Sequence, residues 1–340
     1  MKWLFYSAVP HFEQFRKDWD VLNQLHNQNH ILLDSRFVAV LLKHFGSAHT
    51  ILAVNDESKQ KGLALIQRAG PGLWSTFQPS QSPLGLFLSN RRDEDCGLLF
   101  SLMEALPRYA VLLSVLQQDP LYSPFAPASR KSNVEVIAYM DTPRLRLEGS
   151  FDQYWSQRSK NLRHNLDRQT RRAKEQGIML ELTAETRPHM MAGAVHTYGT
   201  LESAGWKAEG GTAISENNVQ GRFYRELLEE FARTNEAVVY QLKLNERVVA
   251  TDLCLRRNGM LVVLKTTYDE NVEKLSPALL MRREITRQLY ASGQTGVVEF
   301  YGRLRDWHKQ WMTDARTMFH VNAFRSVYVL RARTILKRLR

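Results

Sequence analysis

Three strand-like runs separated by two tight polar turns, with a proline-led helix and a further strand behind them, constrain this chain more than any other segment. Ala237 to Leu244, Val248 to Leu255 and Met260 to Tyr268 are rich in Val, Leu and aromatic residues, and the turns between them are Asn245-Glu246 and Asn258-Gly259. Turns this short join only antiparallel neighbours, so the three runs form a meander. Asp269 to Ser276 then leads to a helix that opens at Pro277 and ends near Gly293, followed by a strand at Val297 to Tyr301. Proline suits the first helical position, where its missing N–H has no intrahelical use. The free amides and partial positive charge of such a helix start favour an anionic group.

The rest of the chain reads as alternating helices and strands. Phe12, Phe15, Trp19, Leu22 and Leu25 recur at helical spacing, and Ser35 is placed to cap a second helix through Phe37, Val40 and Leu41. Ile51 to Val54 and Leu63 to Ile66 form a strand pair around a polar turn. Leu98, Leu99, Leu102, Met103 and Leu106 make a helical stripe ended by Pro107, and strands are expected at Val111 to Leu116 and Val134 to Met140. Prolines 120, 124 and 127 mark a long connection between those two. Ser150 caps a helix from Phe151, Lys160 to Gln176 is helical and stopped by Gly177, and Pro188 opens a helix that runs to about Ser203. Another, after Ser215, buries Phe223, Leu227, Leu228 and Phe231. At 340 residues, two domains are the expectation, 1–143 and 144–340, of mixed α/β (α+β) class.

A formal charge of +11 calls for an anionic partner. Much of the excess lies in Lys160, Arg163, Arg168, Arg171, Arg172 and Lys174, and in Arg331, Arg333, Lys337, Arg338 and Arg340. Each run reads as a solvated helix face, and the second, interleaved with Val329, Leu330, Ile335 and Leu339, also suits peripheral contact with an anionic membrane surface. No apolar stretch is long enough to cross a bilayer, and the opening residues lack a secretion cleavage site, so a cytoplasmic location is expected. Cys96 and Cys254 lie far apart, which disfavours a disulfide framework or a thiolate metal site, and the histidines show no ligand spacing. No metal is expected. Glycine-bounded serine elbows, HExxH and Walker loops are all absent from the sequence.

Glu202-Ser203-Ala204-Gly205-Trp206-Lys207 with Gly211-Thr212-Ala213, Leu264-Lys265 with Tyr268-Asp269-Glu270, Leu275-Ser276-Pro277 with Leu280, and Trp307 with Trp311 resemble the CelD-like acyltransferases of the GNAT superfamily, which are associated with cellulose and exopolysaccharide synthesis and related to Fem-type peptidyltransferases. The likeness is clearest from about Phe151 to Arg316. It implies tandem GNAT-like domains, each a mixed, mostly antiparallel sheet flanked by helices, the second retaining the cofactor loop and the first having lost it. It implies acyl-CoA, acetyl-CoA for instance, as co-substrate, held at Ser276, Pro277, Ala278 and Leu279. An amino sugar or a glycan is the acceptor it suggests. The loop departs from the superfamily pattern: Glu273 takes the basic position, Ser276 that of the first glycine, and Ala278 the last small position.

Acyl transfer from a thioester needs the reactants in line, a donor for the developing oxyanion and a route for the nucleophile's proton. Candidates for that chemistry are Asp252, Glu299, Tyr268 and His308. Asp252 sits in an apolar strand, where burial would raise its pKa, or else it pairs with Lys265 of the neighbouring strand. Glu299 lies in the strand after the cofactor helix, as a base or as an exposed strand position. His308 has a suitable unperturbed pKa, or is a surface residue. Tyr268 is placed to donate to the departing thiolate or to the carbonyl, and Tyr301 is the other phenol in range, with nothing in the sequence to prefer either. Trp206, Lys207, Lys265, Asp306 and Trp307 are the candidates for substrate contact. Two other functions stay open: a Fem-type transfer from aminoacyl-tRNA, in which the basic helix meets RNA phosphates, and a non-catalytic module that binds an anionic ligand.

Overall fold

The computed structural model describes residues 2–57, 60–127, 131–203, 214–215 and 218–338. In chain order the elements are β1 (Leu4–Ser7), α1 (Ala8–His26), α2 (Ser35–Phe45), β2 (Ile51–Glu57), β3 (Gln60–Gly70), β4 (Leu73–Thr76), β5 (Phe87–Ser89), α3 (Gly97–Ala105), β6 (Leu112–Gln118) and β7 (Val134–Arg146). There follow α4 (Phe151–Ser156), α5 (Lys160–Glu175), β8 (Leu180–Glu185), α6 (Met191–Ser203), α7 (Val219–Ala232), β9 (Ala237–Leu244), β10 (Arg247–Arg257), β11 (Met260–Tyr268), α8 (Pro277–Ser292), β12 (Val297–Glu299), α9 (Asp306–Lys309), β13 (Asp314–Phe324) and α10 (Val327–Arg338). Contacts divide the chain into unit 1, Met1–Asp141 with Arg316–Arg340, and unit 2, Thr142–Ala315. Residues 316–340, grouped with the second domain in the sequence division, thus count with unit 1, because β13 pairs antiparallel with β6 from Phe319 opposite Gln118 to Phe324 opposite Leu112.

Unit 1 carries strands in the order β1-β2-β3-β4-β6-β13, with β5 paired to β3. All these pairs are antiparallel except β4 with β6. Alternation of side chains supplies both faces. Ala53, Ala64, Ile66, Leu113 and Val115 join Leu98, Leu99, Leu102 and Met103 of α3 in one cluster, while α1 packs on β2, β3 and β5. Helix α2 begins one residue earlier than Ser35 suggests: the cap is Asp34, whose carboxylate accepts from the Arg36 amide at 2.8 Å. Aspartate outcompetes serine here because it meets the helix start with a full charge.

Unit 2 carries the order β12-β11-β10-β9-β8, with the end of β7 on the far side of β12. Strands β8 to β11 pair antiparallel, and β12 runs parallel to β11. Both meander turns place two residues at positive φ, Asn245 and Glu246 in one, Asn258 and Gly259 in the other, as tight hairpins of this hand require. A parallel neighbour cannot follow from a tight turn, so α8 makes the crossover, stopped by Gly293 at φ 63°. Leu280, Met281, Ile285 and Leu289 of α8 pack with Val238, Tyr240, Leu242 and Cys254 of the sheet, and α6 and α7 pack on β9, β10 and β11. The sequence reading lacked β8 and β13. In β8 every position is half-buried or exposed, so its alternation is weak.

The two units repeat one topology: a three-stranded antiparallel run, β2-β3-β4 or β9-β10-β11, then a helix, α3 or α8, then a strand parallel to the third. They differ at the start of that helix. The Asp93 carboxylate accepts from the Leu98 and Leu99 amides at 3.1 Å each, so the anion position at α3 is filled by the chain itself.

Candidate active site

Strands β11 and β12 are paired only from Met260 opposite Val297 to Val262 opposite Glu299. Beyond that point β11 continues to Tyr268 paired with β10 but without β12, and a register shift between Leu253 and Cys254 of β10 leaves Leu264 as an extra residue on β11. Bulges of this kind bend a strand away from its neighbour and re-aim its side chains. A cavity of about 390 Å³ opens there. Thr266, Thr267 and Tyr268 of β11 form one wall, Ser276, Pro277, Ala278 and Leu279 at the start of α8 another, and Trp307 and Trp311 a third. Leu201, Glu202, Glu270, Glu273 and Arg282 complete the lining.

The start of α8 has unusual geometry. Ser276 precedes it at φ 52°, ψ 53°, a left-handed conformation that glycine adopts freely and serine does not. The Ser276 amide donates to the Glu273 carbonyl at 2.7 Å, and the Leu279 and Leu280 amides donate back to the Ser276 carbonyl at 3.0 Å each. Pro277 has no N–H, so Ala278 presents the first amide of α8 that has no carbonyl behind it. Ser276→Gly is expected to raise stability by about 0.5–1 kcal/mol, the roughly 1–2 kcal/mol of left-handed strain less the greater chain entropy that glycine loses on folding. Urea midpoints at constant m-value check it.

Beneath the cavity lies a buried charge cluster. Asp252 is 0 % exposed and Arg282 4 %, and their nearest O and N stand 2.6 Å apart. The Thr266 hydroxyl donates to the other Asp252 oxygen at 2.7 Å, and the Arg282 guanidinium lies 5.2 Å from the centre of the Phe300 ring. Burial pushes the Asp252 carboxyl up, against the opposing pull of Arg282 and Thr266. The partner of Asp252 is therefore Arg282, from α8, and not Lys265. Lys265 stands over the Tyr224 ring at 5.8 Å and is not among the lining residues. Nearby, the Tyr198 hydroxyl lies between the Glu202 carboxylate, at 3.1 Å, and the Thr266 carbonyl, at 3.2 Å. Burial first and Glu202 second hold Tyr198 well above its ordinary value, so it stays protonated.

The cavity thus brings together Tyr268, Ser276, Pro277, Ala278, Leu279 and Trp307, and leaves other candidates outside its lining. Glu299 is buried at 1 % exposure, which corrects the exposed-strand alternative, and it is not among the residues that line the cavity. Asp306 forms a surface pair with Lys309 at 2.8 Å. His308 is buried, not a surface residue: its ring stacks on Trp307 with centroids 3.6 Å apart, and Nδ1 accepts from the Arg305 amide at 2.9 Å. Trp206 and Lys207 lie outside the described residues. Arg282 escaped the sequence reading, and Glu202 entered it only within the motif that carries the resemblance and not as a site candidate, since a charged residue within a helix looks like a solvated face. The one signal for Arg282 was position: it falls in the apolar stripe between Met281 and Ile285.

Burial, with the charges of Arg282 and Arg305, takes the His308 imidazole down to about 4. In the unfolded chain it titrates near 6.5, so between those values the unfolded state binds more protons and stability falls as pH falls. The loss expected from pH 6.5 to 4 is roughly 2–3 kcal/mol. His308→Asn should flatten that part of the stability–pH profile, as followed by urea unfolding.

Residues 160–310 match the family model for the acetyltransferase (GNAT) domain. Among solved structures, FemX superposes with a TM-score of 0.57 at 9% identity, covering 95% of this chain and 97% of that one. The C-terminal DUF2156 domain of a protein from Agrobacterium fabrum gives 0.55 at 11% identity, with 96% and 97% covered. L-PGS from Bacillus licheniformis gives 0.52 at 10% identity, with 92% and 95% covered. No curated protein matches the sequence. The chain carries a GNAT-superfamily fold, and the match at residues 160–310 supports an acyltransferase. Among the described residues no helix is long and apolar enough to cross a membrane, and no three His, Cys, Asp or Glu side chains cluster as metal ligands.

Proposed function

We propose that the chain transfers an acyl group from acyl-CoA to an amine or hydroxyl of a sugar or glycan-synthesis intermediate, by direct attack of the acceptor on the thioester in the unit 2 cavity. The observation that carries this reading is the position of the cavity, between the parting of β11 from β12 and the open Ala278 amide of α8. Its counterpart at α3, stoppered by Asp93, supports unit 2 as the working one.

In this reading the acceptor's nitrogen or oxygen bonds to the thioester carbonyl carbon and the C–S bond breaks. Tyr268 supplies a proton to the departing sulfur: burial, with Glu273 and Glu270, raises its pKa, so the phenol stays protonated at neutral pH. The acceptor's own proton leaves through the carboxylate rim of Glu270 and Glu273. Asp252 acts as a positioning residue that fixes Arg282 at the cavity floor. Trp307, 38% exposed at the cavity wall, offers a flat apolar face that suits a sugar ring. A cytoplasmic setting, where acyl-CoA is made, belongs to the same reading.

Isothermal titration with CoA, acetyl-CoA and longer acyl-CoAs tests it. Micromolar binding with acyl exchange is expected, and no binding to any CoA species would overturn it. The exposed arginines of α5 favour a second reading, an aminoacyl group delivered by tRNA, and the same titration with aminoacyl-tRNA separates the two.

A further inference from the structure

The one cation of the loop into α8, Lys274, is exposed and is not among the residues that line the cavity. The loop that leads into it contributes Glu270 and Glu273 to the cavity rim, and a carboxylate there repels a phosphate that the helix dipole attracts. Compensating charge stands on the next helix. Along α5, Leu162, Leu166, Gln169 and Ala173 face the core, while Asn161, His164, Asn165, Arg168 and Arg171, with the carboxylate of Asp167 beside them, line a groove of about 630 Å³ on the outward side. Asn161, His164, Asn165, Arg168 and Arg171 recur at helical spacing and so form one stripe. Helix α5 carries Lys160, Arg163, Arg168, Arg171, Arg172 and Lys174 against only Asp167 and Glu175.

The stripe is tied to α8 at a defined place. Arg168 donates to the Asn165 side-chain oxygen at 2.9 Å, and the Asn165 amide reaches the Ser276 hydroxyl at 3.5 Å. A turn further along, Arg283 of α8 donates to Thr170 at 2.8 Å and pairs with Asp167 at 3.5 Å. A guanidinium is therefore held, through Asn165, near the residue that opens α8.

We propose that the phosphates of the acyl-CoA donor are neutralised by α5, the diphosphate by Arg168 with Asn165 and the Ala278 amide, and the nucleotide's 3′-phosphate by Arg171. The cation that the Glu273 position lacks is thereby supplied from a different helix. Arginine suits the task, since its fork matches phosphate oxygens two at a time. This inference rests on acyl-CoA being the donor.

The test is titration of the full chain and of its Arg168→Ala/Arg171→Ala variant with CoA, dephospho-CoA and S-acetyl-pantetheine. Both arginines are exposed, so the fold should survive, and an unchanged urea midpoint confirms it. The double variant should weaken CoA by at least about tenfold while leaving S-acetyl-pantetheine unchanged. Arg171→Ala alone should erase the preference of the wild type for CoA over dephospho-CoA. Unchanged CoA affinity in the double variant, or equal losses for CoA and S-acetyl-pantetheine, would overturn the proposal while leaving the donor assignment standing. Failure of the wild type to bind CoA would remove the donor assignment itself. Loss of tRNA affinity in the double variant with CoA affinity retained would overturn the proposal in favour of an RNA-binding face.

Discussion

Replacing Arg282 with alanine is expected to cost about 3–5 kcal/mol of stability, because it strands the Asp252 carboxylate in a site with no solvent and only Thr266 as a donor. Against the 5–15 kcal/mol typical of a folded domain, that loss decides whether unit 2 stays folded at 37 °C. Removing the charge from both partners should behave differently. In Arg282→Met/Asp252→Asn the asparagine is uncharged and still able to bond with Thr266, and methionine fills most of the volume against Phe300, so stability should recover most of the loss. Acyl exchange should not recover, since the guanidinium at the cavity floor is gone. Urea midpoints and CoA-dependent exchange on the three proteins separate the two effects. Full activity in the double variant would show the pair to be scaffolding alone.

Ala278→Asp is the second large effect. A carboxylate in the first turn of a helix interacts well with the helix dipole, so α8 itself should be preserved or slightly strengthened. The same carboxylate meets the phosphates that the open amide is expected to hold, and in a partly enclosed cavity that repulsion is worth several kcal/mol. Titration should show CoA affinity reduced by at least about a hundredfold with the thermal midpoint unchanged. Unchanged affinity would place the coenzyme elsewhere.

The meander, α8 and β12 were legible because each has a local cause. Asn258-Gly259 specifies a hairpin, Pro277 a helix start and Gly293 a helix stop, and each acts on its own few residues. Strand β13 has no such cause: Phe319, Val321 and Ala323 alternate, but His320 and Asn322 between them look like loop chemistry until His320 is seen accepting from the Gln117 amide at 2.9 Å. The site divided in the same way. Ser276 to Leu279 and Tyr268 are adjacent to a readable turn, whereas the Asp252–Arg282 pair joins residues 30 apart whose meeting depends on how α8 lies across β10. Sequence offered Asp252 a cation on the next strand, Lys265, and packing chose another.

Unit 1 is discontinuous, and that has a consequence for synthesis on the ribosome. Unit 2 is complete once Ala315 has emerged, but unit 1 still lacks Phe319, Val321, Ala323 and Phe324, all buried in its interior. Strand β6 has until then one edge without its β13 partner, and an unpaired edge invites association with other chains. Unit 2 is therefore able to fold while the unit translated first waits for its last strand. Removing residues 316–340 should leave unit 1 aggregation-prone, and a nascent chain stalled before Arg316 should hold a protease-resistant core confined to unit 2.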